Sequence, residues 1–162
     1  KLNWLNHEYI KRADDARLAA LVEPALRRLG APLERGPALE PVVALLKDRA
    51  TSLVHLAEAA TLFYLDPRPT PELLEAQLTD ASRPALRTLK ARLGELARWD
   101  KASIGAAIKA ALASSGLKMP QLAMPLRVLV TGRTQTPSVD AVLELLGRET
   151  VLARLSHHLD TD

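Results

Sequence analysis

Met124-Pro125-Leu126-Arg127-Val128-Leu129-Val130-Thr131-Gly132-Arg133-Thr134-Gln135-Thr136-Pro137-Ser138 is the stretch on which the reading of this chain turns. It sets one arginine inside an apolar run, breaks at Thr131-Gly132 and at Thr136-Pro137, and opens a helix at Ser138. Leu126 to Thr131 is the one plausible strand in the sequence. It reads equally as buried helix, because periodicity does not separate the two in a short, mostly apolar run. The corner that follows is short and acid-free, a shape that holds a polyanion without folding around it.

Outward from that corner the signals are helical. Hydrophobic residues make up 48% of the 162 positions and aromatics only 3%, so the core is Leu, Ala and Val, a mixture that favours helix over strand. Leu2, Leu5, Tyr9 and Ile10 repeat at helical spacing. Asp14 or Asp15 caps a helix with the stripe Leu18, Leu21, Val22, Leu26 and Leu29, stopped by Gly30. Pro37 opens a third helix through Leu39, Val42, Val43, Leu45 and Leu46. Thr51 or Ser52 caps a fourth, with Leu53, Leu56, Ala60 and Phe63 inward. Asp66-Pro67-Arg68-Pro69-Thr70-Pro71 holds three prolines in six residues and cannot be helical throughout. It marks the expected boundary between two helical subdomains, 1–68 and 69–162. Beyond it Thr70 caps a helix with Pro71 at its first position. Pro84 opens a basic helix through Leu86, Leu89, Leu93 and Leu96. Asp100 caps the next, which carries Ile104, Ile108 and Leu112 to Gly116. A short helix follows Pro120. Ser138 caps Val139 to Leu146, Gly147 stops it, and a last helix runs from Glu149 to Leu159. The expected fold class is all-α.

Charge narrows the function. The net charge is a mild +3, but Lys101 to Val139 contains no Asp or Glu while holding Lys101, Lys109, Lys118, Arg127 and Arg133. Arg83, Arg87 and Lys90 fall on one helix face. Such surfaces attract phosphates, although an acid-free stretch is also what a buried Ala-rich helix produces. Without cysteine there is no disulfide or thiol chemistry, which fits a reducing cytoplasm. No apolar run approaches the roughly 18 residues of a membrane span. A chain that begins at Lys1 is expected to be a piece of a longer protein.

No catalytic constellation is present. Neither nucleotide-binding glycine pattern occurs. His7-Glu8 lacks the second histidine of a zinc-protease helix. His157 and His158 are adjacent on a helix and point apart, so they cannot chelate one ion together. Asp14-Asp15 reads as a cap for the same reason.

The chain resembles the C-terminal anticodon-binding region of bacterial-type glutamyl-tRNA synthetases. Five segments carry the resemblance, in order: Lys1-Leu2-x-Trp4-Leu5-Asn6-His7-x-Tyr9-Ile10; Leu46-Lys47-Asp48-Arg49 with Ser52-Leu53; Phe63-Tyr64-x-Asp66; Trp99 before an alanine-rich helix; and Leu126-Arg127-Val128, Thr131-Gly132, Pro137, Leu145-Leu146-Gly147-Arg148-Glu149. The resemblance implies a helical anticodon-binding unit in two subdomains. It implies a cytoplasmic, monomeric parent enzyme that charges tRNA with glutamate, using ATP and magnesium, through motifs this chain lacks. Lys118-Met119-Pro120 is no remnant of the Lys-Met-Ser-Lys-Ser motif, since the serines and the second lysine are missing. The chain alone is expected to be inactive, to carry no cofactor or metal, and to bind the anticodon stem-loop of glutamate tRNA, not DNA or membrane.

The same resemblance implies residue roles. Arg49 matches the arginine set against the third anticodon base. Its donors satisfy the acceptors of cytosine and oppose the donors of a guanine, the base of glutamine tRNA. Facing buried donors cost about 1–3 kcal/mol. Arg127 matches the arginine near the first two bases, and Thr136, Pro137 and Val139 match the loop packed on them. Arg83, Arg87, Lys90, Lys118, Gly132 and Arg133 are candidate contacts to the tRNA backbone. Ordinary alternatives exist for several: an exposed helix arginine paired to a nearby acid for Arg49, a salt bridge within the second subdomain for Arg127, a plain helix stop for Gly132, and core packing for Trp4, Trp99, Tyr9 and Tyr64. Two other functions fit a helical chain. A protein-interaction module would show a broad apolar groove in place of a basic face. A helix-turn-helix DNA binder would need a polar, basic recognition helix, which Val139-Asp140-Ala141-Val142-Leu143-Glu144 is not.

Overall fold

Leucine and alanine at three- and four-residue intervals, punctuated by caps, build ten α-helices and no strand among the described residues of the computed structural model, residues 2–160, with side chains described from residue 6 onward. They are α1 (Leu2–Arg12), α2 (Asp15–Arg28), α3 (Leu39–Leu46), α4 (Leu53–Ala60), α5 (Pro71–Gln77), α6 (Ser82–Gly94), α7 (Lys101–Ser115), α8 (Met119–Thr131), α9 (Val139–Leu146) and α10 (Arg148–Leu159). The chain divides into two compact units, Lys1–Leu65 and Asp66–Asp162. The side chains of Trp4 and Leu5 lie outside the described residues.

In the first unit α2 packs on α3 and α4. Asp14 caps α2, accepting the Arg17 N–H at 3.3 Å. Leu18, Val22 and Leu26 are fully buried, whereas Leu21 and Leu29 are 43% and 46% exposed. The expected stripe is therefore narrower than the apolar residues suggest. The buried positions run at i, i+4, i+8, and the other two lie on the flank of that line. The third helix starts at Leu39, two residues after Pro37, because Ala38 is extended and the Pro37 carbonyl accepts the Tyr64 hydroxyl at 3.0 Å. Ser52, rather than Thr51, caps α4, with its Oγ accepting the His55 N–H at 3.0 Å. Tyr64 is buried beneath this corner, and burial pushes its hydroxyl pKa up to about 12. Gly36 lies against its ring: a Cβ there would come within 2.3 Å of Tyr64 Cδ1. Glycine is required at that position by packing, since its φ of −110° is ordinary.

The second unit is built around α6, α7, α8 and α10, with α9 packed on α7, α8 and α10 and α5 on α8. Its punctuation is local chemistry. Thr70 Oγ1 accepts the Leu73 N–H at 3.2 Å and Pro71 sits in the first turn. Asp100 accepts the Ser103 N–H at 2.7 Å. Gly116, Gly132 and Gly147 end their helices at positive φ. The basic helix begins at Ser82, two residues before Pro84. Trp99 donates its indole N–H to the Leu143 carbonyl at 3.0 Å and carries Arg148 over its ring at 5.5 Å, a packing role.

The ambiguous run is helix. α8 extends from Met119 through Thr131, so the short helix after Pro120 and the plausible strand are one element of 13 residues. Val128, Val130 and Thr131 favour strand locally, but Leu122, Leu126 and Leu129 at i, i+4, i+7 are fully buried, and that packing decides the outcome. Pro125 sits inside the helix and forgoes one intrahelical hydrogen bond, a loss the surrounding core offsets.

Candidate nucleic-acid interface

The corner between α8 and α9 is set from both ends. At the end of α8 the Thr131 hydroxyl donates to the Arg127 carbonyl at 2.7 Å, and its oxygen accepts the Arg133 N–H at 3.1 Å. Gly132 turns the chain with φ 72°, and its N–H closes the helix on the Val128 carbonyl at 2.8 Å. A Cβ at Gly132 would lie 3.0 Å from the Arg68 nitrogen and 3.3 Å from Pro67 Cβ. The close approach at this glycine is thus made by the proline-rich segment of the same unit. Arg154 of α10, 8% exposed, donates from Nη1 to the Val130 carbonyl at 2.7 Å. Burial pulls its pKa down, while the charge of Asp66 works in the opposite direction.

The far end of the corner is fastened to Arg127. Arg127 Nε donates to Thr136 Oγ1 at 2.9 Å, and the Thr136 hydroxyl donates to the Pro137 carbonyl at 2.8 Å. Thr136 and Val139 are 7% and 8% exposed and Pro137 is buried, whereas Arg127 and Arg133 are half-buried. Thr134, Gln135 and Ser138 form the exposed tip. One short hydrogen-bonded span therefore joins Arg127, Thr136 and Pro137, with Val139 packed inward beneath it. Gln135 and Thr134, which the sequence reading passed over, carry the outward polar groups.

Arg49 stands in the first unit on the 3-10 turn Lys47–Arg49 that continues α3, and it is exposed. The turn is held from below. His7 Nδ1 donates to the Ala50 carbonyl at 2.8 Å, and Lys47 Nζ pairs with Asp15 Oδ1 at 2.7 Å and reaches the Ala13 carbonyl at 3.4 Å. α1 packs directly on this turn.

The other candidate cations divide. Arg83 donates to the His158 carbonyl at 3.3 Å, Arg87 to the Leu159 carbonyl at 3.1 Å, and Lys90 pairs with Asp160 at 3.0 Å. This row therefore meets the carbonyl end of α10, where positive charge is favourable. Lys118 is exposed at the start of α8, and Gln121 Oε1 accepts its backbone N–H at 2.9 Å. The sequence did hold a signal for Arg154: a charge three residues after Val151, on the face that residue buries. The Thr131 and Thr136 hydroxyl bonds had no such signal, because they depend on how the corner closes.

No group of His, Asp or Glu gathers as metal ligands among the described residues. No described helix is long and apolar enough to cross a membrane.

A family model described as an anticodon binding domain matches residues 17–159. The chain is 57% identical over 159 residues to a glutamate–tRNA ligase of Azoarcus sp., covering 98% of this chain and 34% of that protein. It is 59% identical over 155 residues to one of Thiobacillus denitrificans, covering 96% and 33%. The chain thus spans about a third of the length of these relatives. Among solved structures, a glutamate tRNA ligase from Elizabethkingia meningosepticum in complex with its amino acid superposes with a TM-score of 0.83 at 19% identity, covering 98% of this chain and 32% of that one. A glutamate-tRNA synthetase from Elizabethkingia anophelis gives 0.80 at 20%, covering 98% and 31%. At these identities the two structures speak for the fold.

Proposed function

We propose, because this chain belongs to the anticodon binding domain family, that it reads the anticodon stem-loop of glutamate tRNA as part of a monomeric, cytoplasmic glutamate–tRNA ligase. The observation that carries the reading is the family match over 17–159, taken with an arginine whose side chain is fastened to the corner between α8 and α9. Anticodon bases splay out of their loop and offer exposed edges, and a planar guanidinium suits the acceptors on those edges. Each unit supplies one such group, Arg49 in the first and Arg127 in the second, and we take the two units as the two anticodon-binding subdomains. In the parent enzyme glutamate would be joined to tRNA with ATP and magnesium, and no step of that reaction is assigned to residues of this chain.

The two alternatives have less support. Val139, Ala141, Val142, Leu143 and Leu146 of α9 are buried, which leaves that helix little surface for a DNA groove. The relatives' identity argues against a bare protein-interaction module.

Arg49 supplies the test. In the full-length enzyme Arg49→Gln is expected to weaken the preference for glutamate tRNA over glutamine tRNA by about 1–3 kcal/mol, roughly 5- to 150-fold. Charging of glutamate tRNA should fall less than the ratio does. The measurement is kcat/KM for both tRNAs with wild type and variant. An unchanged ratio returns Arg49 to an ordinary surface arginine, and failure of the chain to shift glutamate tRNA in a gel rejects the whole reading.

A further inference from the structure

We infer that Thr136 acts on RNA only through Arg127: it is a positioning residue that holds the guanidinium in place, not a group that reads a base. The inference rests on the anticodon reading above and assigns this hydroxyl a task within it. A threonine hydroxyl has one proton and a small acceptor capacity. Here the proton goes to the Pro137 carbonyl at 2.8 Å, and the oxygen receives the Arg127 Nε–H at 2.9 Å. The residue is 7% exposed. For the hydroxyl to donate to a base, its bond to the Pro137 carbonyl must break at a largely buried site, and the carbonyl stranded there carries a desolvation penalty.

The benefit of keeping those bonds falls on Arg127. A free arginine loses much rotamer freedom when it docks. Fixing Nε fixes the plane in which both Nη groups lie, so less freedom is left to lose when RNA arrives. The backbone beneath is held as well. Thr131 Oγ1 is bonded to the Arg127 carbonyl, and Arg154 grips the next turn through the Val130 carbonyl. Arg127 is therefore restrained at its main chain and at its side-chain nitrogen, with Thr136 supplying the second restraint.

A double-mutant cycle separates positioning from reading. The variants are Thr136→Val, Thr136→Ser, Arg127→Gln and the double Thr136→Val/Arg127→Gln. The readout is the affinity of the chain for a glutamate tRNA transcript at one fixed salt concentration. Thr136→Ser keeps the hydroxyl and should bind as wild type. Thr136→Val should bind about 10-fold more weakly, the scale of losing a hydrogen bond to a charged group. The double variant should bind like Arg127→Gln alone, because nothing remains for Thr136 to position. Additive losses would mean that Thr136 contacts RNA itself and would overturn the inference, as would wild-type affinity in Thr136→Val. Should the valine variant fold poorly, the free wild-type chain still decides. Its Arg127 Nε–H should show slowed exchange with water by NMR, and fast exchange would reject the assignment. If wild type does not bind the transcript while Nε–H exchange is slow, the anticodon reading has failed and the restraint has not.

Discussion

Arg49 and Arg127 stand on opposite kinds of support. Arg49 is exposed on a 3-10 turn whose backbone is tied to α1 and α2 through His7 and Lys47. Arg127 is half-buried in the middle of a 13-residue helix, with its side chain fastened to the loop that follows. In the first unit the proposed reader stands on a turn tied down from below. In the second, the proposed reader is itself bonded into the corner. A side chain on a platform selects by what it cannot satisfy, as a guanidinium facing guanine's donors would. A side chain built into a corner selects by shape as well, because it cannot swing away from a misfitting base.

The comparison is broken most severely by removing the packing under the second corner. Leu126→Ala deletes a fully buried side chain of α8 and should cost the second unit about 2–5 kcal/mol. In a Trp4→Phe background, Trp99 fluorescence in urea follows that unit, and circular dichroism follows both. The Trp99 transition should move to lower urea while the remaining helicity unfolds where it did before. Equal displacement of both signals would mean that the two units unfold as one.

The first unit can be loosened selectively with alkali. Tyr64 is held protonated by burial, with a folded pKa of about 12 against an ordinary value near 10. Between those values the unfolded chain releases a proton that the folded one keeps. Stability is therefore fully present below about pH 10 and is lost as pH rises towards 12, by roughly 2–3 kcal/mol at most. Tyr64→Phe should lose the hydrogen bond to Pro37 at all pH values and this part of the alkaline decline with it. Denaturant titrations of both proteins from pH 9 to 12 measure the difference. Parallel pH profiles would remove Tyr64 as the cause.

Gly132 sharpens the comparison at the corner itself. Gly132→Ala forces an alanine into φ 72° and brings a Cβ to 3.0 Å from the Arg68 nitrogen, whereas Gly116→Ala meets a similar φ of 75° in open space. The conformational penalty, about 1 kcal/mol, is common to both. Thermal melts should show Gly132→Ala as the more destabilised of the two, by about a further 1 kcal/mol for the displaced contact. Equal melting temperatures would mean that the Pro67-Arg68 segment yields freely.

These expectations draw unevenly on the sequence. Caps at Thr70 and Asp100 and the stop at Gly116 were legible, and those of α2 and α4 to within one residue, because each involves residues only a few positions apart. Leu126 to Thr131 was not, since a short, mostly apolar run satisfies strand and helix alike, and only the neighbours of α8 decide. Arg127 could be singled out as an arginine in an apolar run that must find a partner or the surface. That its partner is Thr136 could not, because the bond exists only once Gly132 has turned the chain. The row Arg83, Arg87 and Lys90 was legible as a face, but its neighbour at the end of α10 lies some 70 residues away in sequence.

The contact between Gly36 and Tyr64 has a consequence for how this chain can evolve. No side chain fits at 36 while the ring is in place, and the ring cannot shrink without abandoning the Pro37 carbonyl that its hydroxyl satisfies. A mutation at either position alone passes through a less stable protein, so the two sites are locked to one another's history. Lineages that depart from glycine at 36 should be those that have also given up tyrosine at 64, with the start of α3 rebuilt around the orphaned carbonyl.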